Sequence, residues 1–137
     1  MQYLARLNAL LAPSGVVAEL FGSVALEIPG KGEWEFALWL TDEQWYPVLI
    51  RLLNHFGAIY ALSDDFVLFE DNDRGRNIEV IPMRGETAKR NQAIMHFWRN
   101  DPAALQAYEQ GKYQNAHSKR DYYWWKDNLI ADILEPL

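Results

Sequence analysis

One stretch, residues 21–40, constrains the fold and the chemistry of this chain more than any other. It runs from an apolar segment into a Gly-Ser pair, Gly22-Ser23, then through a glycine-rich loop with one lysine, and ends in a strand that opens with Glu33 and Glu35. Side chains two positions apart on a strand point to the same face, so both carboxylates are expected to face the loop. Backbone N–H groups at a tight Gly-Ser turn can hold phosphate, and paired carboxylates beside it can hold a divalent metal.

The composition is typical of a folded protein. The chain has 137 residues, half of them apolar, with six Trp, seven Tyr and six Phe. This length fits one domain, so we expect a single domain over residues 1–137. The absence of cysteine excludes disulfides and thiolate metal sites and is compatible with the cytoplasm, where we expect the protein. No run of about eighteen apolar residues and no signal-peptide pattern is present, so no membrane span is expected.

The net charge of −6 is unevenly distributed along the chain. Residues 1–73 carry 11 acidic and 3 basic side chains, which gives −8, and residues 74–137 carry 8 and 10, which gives +2. A solvated surface and a metal-binding half that meets an anion-binding half are both compatible with this asymmetry. Because tight binding to a long nucleic acid needs a concentrated basic face, we do not expect such a partner.

Hydrophobic periodicity and turn residues predict an α/β (α+β) fold, with a small mixed β-sheet flanked by helices and a helical C-terminal third. Thr41, with a glutamine three residues later, has the pattern of a capping box, and Asp101-Pro102 that of a helix N-cap. Polar residues 71–76 are predicted to form a loop, and Pro82 is predicted to end the strand before it. The predicted strands cover residues 16–21, 35–40, 58–62, 66–70 and 77–81, and the predicted helices begin near residues 3, 42, 86, 102 and 118.

Three segments of the sequence occur in an order that resembles a known family. The first is the Gly-Ser pair, followed by Ile-Pro-Gly-Lys-Gly at residues 28–32 and the acidic strand. The second is Asn-Ile-Glu-Val-Ile-Pro-Met at residues 77–83, and the third is a helical tail with a proline, two tyrosines and two lysines (Pro102, Tyr108, Lys112, Tyr122 and Lys126). Together they resemble the GrpB-like family of the nucleotidyltransferase superfamily over roughly residues 18–134.

The resemblance implies a nucleotidyltransferase-like fold and an activity that moves a nucleotidyl group from a nucleoside triphosphate to an unidentified acceptor, with Mg²⁺ or Mn²⁺. Glu35 and Glu79 would act as catalytic metal ligands, and Glu33 as an auxiliary ligand, provided that their two strands are neighbours. The sequence departs from the family pattern here. Glutamate replaces the usual aspartate at Glu35, and Asn77 and Glu79 replace two histidines.

Five further residues are candidate ligands of the triphosphate. Gly22 and Ser23 would present backbone and hydroxyl donors, and Lys31 in the glycine-rich loop would supply a point charge. Lys112 and Lys126 are assigned as anion ligands by the resemblance alone. Each follows a tyrosine by four residues and so shares a helix face with it.

Structural alternatives remain open for these residues. Alternating glutamates are also the solvent side of an amphipathic strand, and a lysine near an aromatic residue also packs its stem while its charge stays in water. The alternative function is a catalytically inactive nucleotidyltransferase-fold protein that binds a small anionic ligand or a protein partner. The aromatic run at residues 122–125 is compatible with base stacking, core packing or a homodimer contact.

Overall fold

The computed structural model describes residues 2–25 and 33–114, and beyond them residues 126, 129, 130 and 134. For residues 23, 24, 112 and 113 the description covers the backbone alone. Contacts divide the chain into two compact units, residues 1–89 and residues 90–137.

The first unit contains all the described strands and most of the described helices. The helices are α1 (Gln2–Leu11), α2 (Gly22–Ala25), α3 (Asp42–Phe56), α4 (Gly85–Asn100), which continues into the second unit, and α5 (Pro102–Gln114); the strands are β1 (Glu19–Phe21), β2 (Trp34–Trp39), β3 (Ala61–Leu62), β4 (Val67–Asp73) and β5 (Arg76–Met83). Within the described residues, no helix is both long enough and apolar enough to cross a membrane.

The strands form one mixed sheet in the order β1-β2-β5-β4-β3. The central pair, β2 and β5, is parallel, and the other neighbours are antiparallel. Parallel neighbours need a long crossover connection, and here α3 and the β3–β4 hairpin provide it. The predicted mixed α/β fold with a small sheet and flanking helices is therefore confirmed.

One face of the sheet carries the main core. Alternate side chains of the three inner strands are fully buried there, because α1 and α3 cover that face. The opposite face has a smaller apolar cluster of Ala37, Met83 and Ala88, with Phe21, Trp39, Phe66 and Ile81 beside it. This second face is the one that positions the carboxylates described below.

The predicted helix boundaries in the middle of the chain are confirmed by their caps. The Thr41 hydroxyl accepts a hydrogen bond from the Gln44 backbone N–H at 3.2 Å, and the Gln44 side chain accepts one from the Thr41 N–H at 3.0 Å. Gly57, at φ 85°, ends α3 in the left-handed conformation that glycine adopts without strain. At the start of α5, the Asp101 carboxylate accepts a hydrogen bond from the Ala104 N–H at 3.1 Å.

The predicted loop over residues 71–76 is wrong. β4 continues to Asp73 and β5 begins at Arg76, so only Arg74 and Gly75 form the turn, at φ 56° and 84°. Two residues with positive φ suit the right-handed twist of the flanking strands. The polar strand residues are held by α1. Tyr3 donates a hydrogen bond to Asp71 at 2.8 Å, and Arg6 pairs with Asp73 at 3.0 Å.

Three other predictions are corrected or lie outside the description. β1 covers only Glu19–Phe21 of the strand predicted over residues 16–21. Pro82 does not end its strand, since β5 continues to Met83. The ladder to β4 stops at the Phe69–Val80 pair and has one further bridge, between Phe66 and Met83, so Pro82 lies where no ladder N–H is required on that side. The helix predicted from Ser118 lies outside the described residues.

Candidate functional site

Three glutamates stand side by side on the second face of the sheet, one on each of three neighbouring strands. Glu79 lies on the central strand β5, directly opposite Glu35 of β2 on one side and Glu70 of β4 on the other. Side chains in register on adjacent strands point to the same face and are about 5 Å apart at Cβ. The strands predicted to carry Glu35 and Glu79 are therefore neighbours, as the metal-site prediction requires.

Glu33, just before β2, completes this group, which we call the glutamate cluster (Glu33, Glu35, Glu70 and Glu79). The side chain of Glu33 is within hydrogen-bonding reach of Glu79, and this contact favours the protonated form of Glu79. Burial raises the pKa of Glu79 from 4.5 to about 7, and the Glu33 hydrogen bond and the charges of Glu35, Glu33 and Glu70 act in the same direction. Near neutral pH Glu79 therefore takes up a proton readily. A cation bound by the cluster would relieve the same repulsion among its carboxylates.

Gly22 lies against the carboxylate of Glu35. Phe21, the last residue of β1, is paired with Glu35, so the next residue reaches the end of that side chain. A Cβ atom built on Gly22 would lie 1.9 Å from Glu35 Oε2, and Gly22 has φ 73°. Only glycine satisfies both conditions without a shift. The Gly-Ser segment and the carboxylate thus meet at one place, with α2 beginning there.

The described residues do not form a ready-made metal cage. Among residues 2–25, 33–114 and the four described beyond them, no three His, Asp or Glu side chains are arranged to hold a metal ion by themselves. Mg²⁺ is commonly bound by one or two carboxylates together with substrate phosphates and water. The donor set of Glu35 and Glu79 fits this second kind of site.

The other predicted ligands are placed only in part. Ser23 belongs to α2, where its backbone follows Gly22, and Lys31 lies outside the described residues. Lys112 is a residue of α5, and Lys126 is a half-buried residue in helical conformation. Both of these lysines are in the second unit, so their role remains a prediction from the resemblance.

Glu70 is the member of the cluster that the sequence analysis missed. Its neighbours along the chain, residues 71–76, were predicted to be a loop, which left the register of β4 undefined. The two-residue turn at Arg74-Gly75 sets the register of the hairpin. It pairs Asp73 with Arg76 and, three positions further from the turn on each strand, Glu70 with Glu79. The Asp-Arg-Gly-Arg sequence at residues 73–76, between two segments with alternating side chains, is the sequence feature that indicates this hairpin turn.

The first arginine after β5 already has hydrogen-bond and charge partners away from the glutamate cluster. Arg84, directly after β5, lies over the Trp45 ring at 4.6 Å and donates a hydrogen bond from Nε to the Asp64 carbonyl at 3.0 Å. It is also 3.6–3.7 Å from the carboxylates of Asp42 and Asp65. These contacts give Arg84 a structural role, in which it joins the start of α3 to the β3–β4 turn.

Glu79→Gln is expected to change how stability depends on pH. Because the folded state holds a proton on Glu79 up to a pKa of about 7, against 4.5 ordinarily, this contribution to stability is complete below about pH 4.5 and is lost as the pH rises through about 7. Glutamine carries no charge at any pH. The melting temperature of Glu79→Gln should therefore rise relative to wild type between about pH 5 and about pH 8. The exposed Glu86→Gln is the control, and a difference that stays constant with pH would contradict the assignment.

No protein-family model matches the chain, and no curated protein matches it. The resemblance to the GrpB-like family therefore stays a prediction from the three sequence segments. The glutamate cluster and the Gly22 contact are the features of the structure that bear on function.

Proposed function

We propose that the chain is a nucleotidyltransferase of the GrpB-like kind, which moves a nucleotidyl group from a nucleoside triphosphate to an acceptor with the help of Mg²⁺ or Mn²⁺. One observation carries the proposal. Glu35 and Glu79 are directly opposite each other on adjacent parallel strands, and Gly22 touches the Glu35 carboxylate. A backbone turn suited to phosphate and a pair of carboxylates suited to a cation therefore share one place.

The residues present fit a divalent cation. Carboxylate oxygens are hard donors, and Glu35, Glu79 and Glu70 stand in register on adjacent strands, so a cation would offset the repulsion among their charges. Glu35 and Glu79 would hold the cation, and Glu33 would assist by accepting hydrogen bonds. When bound, the cation supplies charge neutralisation at the phosphates.

The remaining roles belong to the chain itself. Gly22 allows the backbone to approach the phosphates, and Ser23 and Lys31 are proposed to orient them. In the transfer, an acceptor oxygen forms a bond to the α-phosphorus while the bond from that phosphorus to the bridging oxygen breaks. Pyrophosphate leaves, and a carboxylate of the cluster takes the proton of the acceptor hydroxyl.

The proposal is tested by the melting temperature of the protein with ATP, GTP, CTP and UTP, each with and without Mg²⁺ or Mn²⁺. A ligand that binds only the folded state raises stability by about 2.7 kcal/mol at one hundred times its Kd. We expect at least one triphosphate to raise the melting temperature only when the cation is present. Glu35→Gln should remove most of this increase, so that adding the cation makes little difference. Glu86→Gln, a matched exposed change, should behave like wild type. The absence of any shift at millimolar ligand would contradict the proposal.

One observation favours the second candidate, a protein of this fold that binds an anionic ligand or a protein without catalysis. The hydrogen bond between Glu33 and Glu79 lets a proton, instead of a cation, relieve the repulsion among the carboxylates. In that case Glu35→Gln folds and binds as wild type does, and no triphosphate gives a cation-dependent shift. The same set of melting curves therefore separates the two candidates.

A further inference from the structure

The outer face of α3 is unusually apolar for a helix surface exposed to water. Tyr46 and Ile50 are 66 % and 60 % exposed, and Leu53 is 39 % exposed, although each has large apolar area to bury. These positions are three and four residues apart, so they lie together on one side of the helix, away from the buried side chains, and form a stripe. Exposed apolar stripes of this kind mark interaction surfaces.

Two charges of opposite sign lie beyond one edge of this stripe on the same helix. Glu43 is exposed in the first turn, and Arg51 lies two turns further on. In the described part of the chain, neither side chain is paired with an opposite charge, and the Arg51 Nε is shielded from water without a hydrogen-bond partner. A guanidinium donor left unpaired in this way is costly, so an incoming carboxylate would stabilise it.

A hollow of about 470 Å³ lies beside Arg51. It is lined by apolar and polar side chains together, from Leu10, Pro47, Ile50, Arg51, Asn54 and His55. The space exceeds what one carboxylate side chain needs. It therefore has room for a glutamate together with part of an apolar neighbour.

The spacing of the two charges is suited to a second copy of the same helix. Glu43 and Arg51 are eight residues apart, about 12 Å along the axis, and Pro47 lies midway between them. A two-fold interface brings the same patch of both subunits together. If two α3 helices pack antiparallel about an axis at Pro47, each Glu43 meets the other copy's Arg51, and Ile50, which lines the hollow, is covered by the other copy.

We propose that the outer face of α3 is a two-fold interface between two copies of this chain, in which Glu43 of each copy enters the hollow of the other and pairs with Arg51. This inference uses none of the residues assigned to nucleotide or cation binding. It therefore stands or falls independently of the proposed activity.

The test is sedimentation equilibrium of the full chain over about a hundredfold range of concentration, with charge variants. Wild type should approach twice the monomer mass of 15.9 kDa as concentration rises. Glu43→Arg and Arg51→Glu each place like charges together and should weaken association at least about tenfold. The double variant exchanges the two charges and should return to within about threefold of wild type. Glu86→Arg, an exposed first-turn glutamate of α4, is the matched control.

Each outcome either supports or contradicts the two-fold interface. A wild type that stays monomeric, or a dimer that neither charge variant weakens, overturns the proposal, and so does a double variant that associates no better than the single ones. If circular dichroism shows that a charge variant is unfolded, Ile50→Asp replaces it, because a residue that is 60 % exposed tolerates a polar side chain. Association unchanged in folded Ile50→Asp overturns the proposal, and loss of the dimer supports it.

Discussion

Phe36→Ala is expected to lower the free energy of unfolding by about 3–5 kcal/mol. The side chain is fully buried on the central strand β2 and stacks on the Tyr3 ring of α1, with 5.6 Å between ring centroids. Its removal leaves a cavity under the helix layer, in addition to the lost transfer of the ring from water. Because a domain of this size is stable by only about 5–15 kcal/mol, the loss is a large share of the total. Urea unfolding followed by circular dichroism measures it.

Phe36→Leu is the control for that measurement. Leucine keeps an apolar side chain of similar bulk, so its cost should be below about 1.5 kcal/mol. Phe66→Ala, at a half-buried position of the second face, should cost less than Phe36→Ala. Equal losses for Phe36→Ala and Phe66→Ala would mean that the main core does not lie under α1 and α3.

Gly22→Ala is expected to reduce the proposed cation-dependent binding of triphosphate about tenfold or more, with a cost in stability of only about 1–2 kcal/mol. The two effects have different causes. The stability cost comes from the left-handed backbone at φ 73°, which disfavours any residue with a Cβ. The binding loss comes from displacement of the Glu35 carboxylate, since its Oε2 lies where the new methyl group must go. Thermal shifts with triphosphate and Mg²⁺ measure binding, and urea unfolding measures stability.

Gly15→Ala separates these causes. Gly15 has nearly the same backbone, φ 69°, but nothing lies within 4 Å of a Cβ built on it. It should show the same loss of stability as Gly22→Ala and retain wild-type triphosphate binding. If the two variants bind triphosphate equally well, the position of the Glu35 carboxylate is not important for the site.

The parts of the fold that the sequence predicted well are those that local interactions decide. The capping box at Thr41 and the glycine after α3 involve residues within four positions of each other, so the helix ends could be inferred without knowledge of the rest. The Gly-Ser segment and the alternating glutamates likewise lie within one stretch. Their meeting with Glu79 needed one further assumption, that two distant strands are neighbours, and the register of β2 with β5 satisfies it.

The parts that could not be predicted depend on contacts between distant segments. A run of polar residues such as 71–76 is ordinarily a loop, because its side chains favour water. Here Asp71 and Asp73 are strand residues because Tyr3 and Arg6 bind them from across the fold. Because residues 71–76 were predicted to be a loop, the register of β4 with β5 could not be inferred. The position of Glu70 beside Glu79 could therefore not be predicted either.

The same contacts between α1 and the β4–β5 hairpin bear on the order of folding. Their partners are 67, 68 and 72 positions apart in the chain, with Arg74 of the turn donating a hydrogen bond to Gln2. Closing so long a loop costs entropy before any contact is gained, so we expect these bonds to form after the local hairpin has fixed its register. A nascent chain that ends before Arg76 has no β4–β5 ladder to align Asp71 and Asp73. Until that point in synthesis, Asp71 and Asp73 are not aligned for Tyr3 and Arg6, whereas Asn8 of α1 can already accept the hydrogen bond from the nearby Ala18 N–H, 2.7 Å in the complete fold.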